Sequence, residues 1–106
     1  YYPSVAGIGY LGNAKFTTNK KLYRRWQNII CRCYYPRYKQ YEMYGAKGVT
    51  VCNRWHCYEY FLEDFIQLHG YDENNLHNLH LDKDSKILGN KVYSPEACML
   101  ITAQQN

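Results

Sequence analysis

The chain has few of the residues that build a large hydrophobic core or a membrane span. Its 106 residues include only three Phe and two Trp, and no apolar run approaches the roughly 20 residues that cross a bilayer. A chain of this length supports one modest core, so we expect a single domain over residues 1–106 and no membrane partner. Because no signal-peptide pattern is visible, we also expect a cytoplasmic setting.

Motifs for small-molecule chemistry are missing as well. The sequence contains no Gly-rich phosphate loop, no Ser-His-Asp arrangement and no cofactor fingerprint. These absences argue against the common nucleotide-dependent enzymes and hydrolases. We therefore expect no small-molecule substrate.

Acidic residues are almost absent from the first half of the chain. Residues 1–58 hold ten Lys and Arg but one acid, Glu42, whereas residues 59–106 hold three Lys and eight Asp and Glu. A basic half and an acidic half in one domain favour a face that binds a polyanion. The alternative is that the two halves pack together and neutralise each other.

Tyrosine, by contrast, is abundant, with 13 residues. In the segment YYPRYKQYEMYG, residues 34–45, five Tyr are interleaved with Arg37 and Lys39. This mixture suits a surface that follows a phosphate backbone and stacks on bases, and it also suits a protein–protein interface. With the basic face of the preceding helix it gives the candidate nucleic-acid-binding residues, which are Lys21, Arg24, Arg25, Arg32, Arg37 and Lys39.

Apolar spacing predicts two helices and a short strand between them. The first helix runs from about Asn19 to Cys33 with Thr17 or Thr18 as its cap, and the second runs from about Tyr58 to a C-cap at Gly70. A Gly- and aromatic-rich arm or hairpin precedes them over residues 1–18, turning around Gly12-Asn13. The strand is Val49–Cys52. The inward residues are Leu22, Trp26, Ile29, Ile30 and Cys33 in the first helix, and Phe61, Leu62, Phe65 and Leu68 in the second.

The segment from His80 to Cys98 predicts a ββα unit. It reads as a short strand, a turn at Gly89-Asn90, a second strand and a helix that begins at Ser94-Pro95-Glu96. The fold expected for the whole chain is therefore α+β, in which two helices pack on a small β element and a ββα finger spans residues 79–106.

Five cysteines suggest a structural zinc ion. Without a secretion signal, disulfides are disfavoured. Cys33 ends a predicted helix, Cys52 ends a predicted strand and Cys98 lies in the finger helix, so these three could hold one tetrahedral ion. The fourth ligand would be Cys57, with His56 or His80 as the alternative. The other possibility is that they are small buried hydrophobic residues.

Two blocks in order carry a family resemblance. The first combines WQNIICRCY from Trp26, YGAKGVTVCNRW from Tyr44 and the later Phe61 and Phe65, and the second is LDKDSKILGNKVYSPEAC from Leu81. The chain resembles small phage and prophage proteins labelled HNH (His-Me finger) endonuclease-like. The resemblance implies the finger fold, a location in a host bacterial cell and, if the site is complete, Mg²⁺-dependent DNA cleavage.

The catalytic positions of that family are altered here. Relatives place a general-base His on the first finger strand and a metal-binding Asn in the helix; this chain has Asp82-Lys83 and Ala97 there. A relocated site would consist of His80, Asp82, Asp84 and Asn90, with Mg²⁺.

The resemblance and the altered positions together favour a catalytically inactive, HNH-like binding protein. It would block or engage a nucleic-acid-processing complex, with nucleic acid or a host nuclease such as a Cas-type effector as its partner, in the manner of anti-CRISPR proteins. In that case the acidic second half would mimic phosphates. The alternatives are a metal-dependent HNH endonuclease and a simple DNA-binding module.

Overall fold

The computed structural model describes residues 5–15, 19–84, 86 and 89–102. Two helices and four short strands form the framework, and the predicted α+β class is confirmed. In chain order these are α1 (Lys20–Tyr34), β1 (Thr50–Val51), α2 (Tyr58–Phe65), β2 (His80–Asp82), β3 (Val92–Tyr93) and β4 (Met99–Ile101). Four 3₁₀ turns lie between them, at Tyr41–Met43, Gly45–Lys47, Asn53–His56 and Glu73–Asn78.

Helix α1 matches its prediction closely. The side chain of Asn19 caps it by accepting a hydrogen bond from the Leu22 amide at 3.3 Å, in place of the expected Thr17 or Thr18. The helix ends where Tyr35 turns extended, because Pro36 disfavours helical geometry in the residue before it. The predicted inward residues Leu22, Trp26, Ile29, Ile30 and Cys33 are all buried.

Aromatic rings join α1 to α2 in the core. The Trp26 and Tyr58 ring centroids lie 5.2 Å apart, and the Trp55 and Phe61 centroids are also 5.2 Å apart. The Trp26 indole donates to the Trp55 carbonyl at 2.7 Å, so its polar atom is satisfied in a fully buried position. Phe65 lies beside Phe61 and closes this cluster.

Helix α2 ends earlier than predicted. Its last residue is Phe65, and Gly70 lies in the following turn with φ of +92°. A Cβ atom at position 70 would come within 2.1 Å of the Leu100 carbonyl oxygen, so only glycine allows this close approach. The Leu100 amide donates to the His69 carbonyl at 2.8 Å, and the turn thereby holds β4.

The ββα unit is not confirmed. Strands β2 and β3 occur where expected but do not pair with each other: β3 pairs in parallel with β1, and β2 pairs antiparallel with β4. The Ser94–Ala97 segment is a turn, in which the Ser94 hydroxyl accepts from the Ala97 amide at 3.2 Å. Cys98, expected in a helix, follows this turn, and the apolar residues after it form β4.

The N-terminal arm turns at a different place from the one predicted. Val5 pairs with Gly9 across a turn containing Ala6 and Gly7, both at positive φ, rather than around Gly12-Asn13. The arm then pairs with the start of α2, where the Tyr58 amide donates to the Tyr10 carbonyl at 2.8 Å. Residues 1–4 and 16–18 of the predicted arm lie outside the described residues.

No helix within the described parts of the chain is long and apolar enough to cross a membrane.

Candidate nucleic-acid interface

A groove of about 840 Å³ lies between α1 and β2. Its apolar floor includes Ile29, Phe61, Phe65 and Ile101. Six basic side chains line it against two carboxylates, Asp82 and Asp84, so the groove is electropositive overall. The basic residues are Lys20, Lys21, Arg24, Arg25, Arg32 and Lys83.

The first turns of α1 supply the free charge of this groove. Lys20, Lys21 and Arg24 are exposed, and none of them forms an ion pair or hydrogen bond with any residue that the structure describes. Arg24 lies one helical turn from both lysines, so the three charges share one side of the helix. Their charge is therefore accessible to a ligand.

Arg25 lines the same groove but is committed to the backbone. Its guanidinium donates to the carbonyl of Leu76 at 2.6 Å and to that of Leu79. Burial lowers the pKa of Arg25 without removing its charge at neutral pH. This predicted nucleic-acid contact thus joins α1 to the segment that leads into β2.

Arg32 lies at the C-terminal end of α1, at the other end of the groove. Its guanidinium stacks over the Tyr44 ring, 4.8 Å from the centroid, and donates to the Tyr93 hydroxyl at 3.3 Å. Its Nε is buried and has no hydrogen-bond partner among the described residues. Arg37 and Lys39 are exposed and do not line the groove.

Three of the four residues proposed for a relocated catalytic site also line the groove. They are His80, Asp82 and Asp84, on β2 and just after it. Asn90 does not line it: its side-chain amide donates to the carbonyls of Lys83 at 3.0 Å and Val92 at 2.6 Å.

Lys83 neutralises part of this carboxylate group. Its Nζ lies 3.1 Å from Asp84 Oδ1 and donates to the Asn90 carbonyl at 3.0 Å. An ammonium group therefore lies beside the carboxylates that line this side of the groove.

The described side chains do not assemble a metal site. Within residues 5–15, 19–84, 86 and 89–102, no three His, Cys, Asp or Glu side chains come together in a group that could hold an ion. All predicted zinc and magnesium ligands belong to these ranges. Both metals remain predictions from the sequence, and we derive no chemistry through them.

The cysteines have environments typical of protonated core thiols. Burial raises the pKa of Cys33 and of Cys98 to about 11, and it also raises that of Cys52. Cys57 is buried as well and lies against Gly12, where a Cβ would come within 2.6 Å of its sulfur. The alternative ligand His56 is tied to the Val51 carbonyl through Nε2 at 2.9 Å.

Carboxylates of the acidic half are engaged within the chain. Arg54 Nε lies 2.7 Å from Asp64, and its NH2 lies 3.5 Å from Glu63. Asp64 also accepts from the Trp55 indole at 2.8 Å, and Glu59 accepts from the Asn13 amide at 3.0 Å. These bonds hold part of the acidic surface in local pairs and weaken its likeness to a row of phosphates.

Sequence reasoning missed several residues of the groove. Lys20 could have been found, because it lies four residues before Arg24 and hence on the same helix face. Tyr44, Lys83 and Tyr93 also line the groove. Tyr93 could not have been assigned to it, since its place depends on the parallel pairing of β3 with β1.

Comparison of the chain with protein-family models, with curated proteins and with solved structures found no match. The HNH-like resemblance therefore stays a prediction from the sequence motifs.

Proposed function

We propose that the protein binds nucleic acid through the phosphate backbone, in the groove between α1 and β2, without cleaving it. The observation that carries the proposal is the row of cations Lys20, Lys21 and Arg24 on one wall of the groove, none of which pairs with a described residue. Unpaired cations concentrated in a cleft create the positive potential to which phosphates bind.

The length of the basic wall supports a polymeric ligand. From Lys21 to Arg32 the helix rises about 16 Å at 1.5 Å per residue. Successive phosphates of one DNA strand rise about 3.4 Å each along the duplex axis, so this wall spans about five phosphates. A single small anion would contact only a fraction of it.

The opposite wall supports binding without cleavage. Lys83 holds Asp84, and the described carboxylates and histidines form no group that could hold an ion. The protein would act by occupying nucleic acid, and in this way it would block or engage a host nucleic-acid-processing complex. We favour direct binding to nucleic acid over phosphate mimicry by the acidic half of the chain, because Arg54 already pairs with Glu63 and Asp64.

A matched pair of triple variants tests the binding surface. Lys20→Gln, Lys21→Gln and Arg24→Gln together remove three groove charges; Arg37→Gln, Lys39→Gln and Lys47→Gln remove three exposed charges outside the groove. In fluorescence anisotropy titrations of a DNA duplex, the groove variant is expected to weaken binding and lower the slope of log K against log salt by roughly 2 to 3. Equal losses in both variants would show that only net charge matters and would reject the groove.

A plasmid-nicking assay tests the absence of cleavage. With Mg²⁺ or Mn²⁺, we expect the folded protein to leave supercoiled DNA intact, at the same level as its Asp82→Ala variant. Nicking by the wild-type protein that disappears in Asp82→Ala would replace this proposal with the endonuclease.

A further inference from the structure

The inner end of the groove holds a cation in an unusually fixed position. Arg32 is stacked on Tyr44 and bonded to the Tyr93 hydroxyl, which together restrict its planar guanidinium. It makes no ion pair with any described carboxylate, and its buried Nε has no partner. A restrained guanidinium that lines the groove without a described carboxylate partner is suited to an incoming anion.

A second fixed cation lies at the same end. The Lys83 side chain is only 12% exposed, and the Asn90 carbonyl orients its ammonium group. Both Lys83 and Arg32 line the groove, and both lower the pKa of the Cys33 thiol by their charge, against the larger effect of burial. Their charges therefore act on one region of the protein.

The ion pair between Lys83 and Asp84 is weakly held. Asp84 pairs with Lys83, but its side chain is 52% exposed. An ion pair with one exposed member contributes little to stability. An anion with more acceptor oxygens can displace this carboxylate.

We propose that Arg32 and Lys83 form a subsite for one phosphate group of the bound nucleic acid, which replaces Asp84 as the partner of Lys83. The subsite rests on the proposed function. Arg32 supplies a planar fork of donors for two phosphate oxygens, and Lys83 supplies a point charge for a third. The exposed cations Lys20, Lys21 and Arg24 then bind the rest of the backbone without fixing its register.

Inorganic phosphate is the probe that tests this subsite, with binding measured by calorimetry on the full chain. Arg32→Lys keeps the charge but loses the planar fork, and Lys83→Gln loses the charge; each is expected to weaken binding about tenfold. Asp84→Asn removes the competing carboxylate and is expected to tighten binding. Lys47→Gln, an exposed charge outside the groove, is the control and should leave affinity unchanged.

The higher phosphate affinity expected of Asp84→Asn cannot result from misfolding, because an unfolded variant does not bind more tightly. Equal phosphate affinity in wild-type protein, Arg32→Lys, Lys83→Gln and Asp84→Asn would overturn the subsite. If the groove triple variant still loses duplex binding in that case, the proposed function survives. If phosphate affinity responds as expected but the protein binds neither duplex nor single-stranded DNA, the proposal that nucleic acid occupies the subsite is wrong.

An oligonucleotide pair identifies the source of the phosphate. The same strand with and without a 5′-phosphate is titrated into wild-type protein and Arg32→Lys. A terminal group in the subsite gives a preference for the 5′-phosphorylated strand that Arg32→Lys removes. A backbone group gives equal affinity for the two strands and an equal loss in Arg32→Lys.

Discussion

Two adjacent arginines on α1 have opposite roles despite identical chemistry. Arg24 is exposed on the wall of the groove, whereas the Arg25 guanidinium donates to the carbonyls of Leu76 and Leu79. A helix turns about 100° between neighbouring residues, which is enough to direct one side chain to solvent and the next to the protein.

This difference predicts that substitution of Arg25 lowers stability, whereas substitution of Arg24 weakens DNA binding. Arg25→Gln leaves backbone acceptors without charged donors and should lower the free energy of unfolding by about 2 kcal/mol. Arg24→Gln should change stability by less than about 0.5 kcal/mol but weaken DNA binding. Urea denaturation and DNA titration of both variants check the prediction. An Arg25→Gln protein as stable as Arg24→Gln would contradict it.

The same pair shows what a sequence can reveal about individual residues. The apolar face of α1 follows from its 3.6-residue period, and all five of its predicted members are buried. The partner of each cation does not follow, because Leu76 and Leu79 lie more than 50 positions from Arg25 along the chain. Charge patterning therefore indicated which residues are basic but could not separate the exposed cations from those bonded within the fold.

At the scale of elements, the positions of β1, β2 and β3 were predictable, whereas β4, expected as part of a helix, and the pairing of the strands were not. The stretches around β1, β2 and β3 have strand-like composition, but each strand has only two or three residues. Such short strands carry little information on register, so long-range contacts decide their pairing. Here α2 lies between β1 and β3 in the sequence, and a crossover of this kind permits their parallel pairing.

Asn90 joins the two sheets at the point where the hairpin was expected. Its side-chain amide donates to Lys83, just after β2, and to Val92 in β3, and its carbonyl oxygen accepts from the Val92 amide at 3.2 Å. We interpret Asn90 as a structural residue of the groove wall rather than as a metal ligand.

Removal of the Asn90 side chain should destabilise the connection between the end of β2 and β3. Asn90→Ala is expected to lower the free energy of unfolding by about 2 kcal/mol, since it removes three hydrogen bonds, of which the bond to the Lys83 carbonyl is partly buried. Asn90→Asp keeps the shape and the acceptor but cannot donate, so a comparable loss there assigns the effect to the two donated bonds. The exposed Asn53→Ala is the control, and thermal denaturation is the measurement. A stable Asn90→Ala protein would show that the connection does not depend on this residue.

At the scale of the whole molecule, the fold separates two kinds of polar group. Cations on the outside face of α1 remain accessible, whereas tyrosine hydroxyls and cysteine thiols that meet the core are kept in their neutral forms. Burial raises the pKa of Tyr58 and of Tyr93 to about 12, as it raises those of Cys33 and Cys98 to about 11. These tyrosine and cysteine side chains are therefore compatible with burial in the core because they stay uncharged.

This arrangement predicts a loss of stability at alkaline pH. The unfolded chain releases the cysteine protons near pH 9 and the tyrosine protons near pH 10. The folded protein retains the cysteine protons up to about pH 11 and the tyrosine protons up to about pH 12. Between these values the unfolded state binds fewer protons than the folded state, so stability falls as pH rises. The stabilisation is complete below pH 9 and should decline as pH rises towards 12.

Urea midpoints measured between pH 7 and 11.5 should be level at first and then fall. A double variant, Tyr58→Phe with Tyr93→Phe, loses the tyrosine contribution and should fall less above pH 10, which separates this effect from lysine deprotonation. Parallel curves for the two proteins would contradict the prediction.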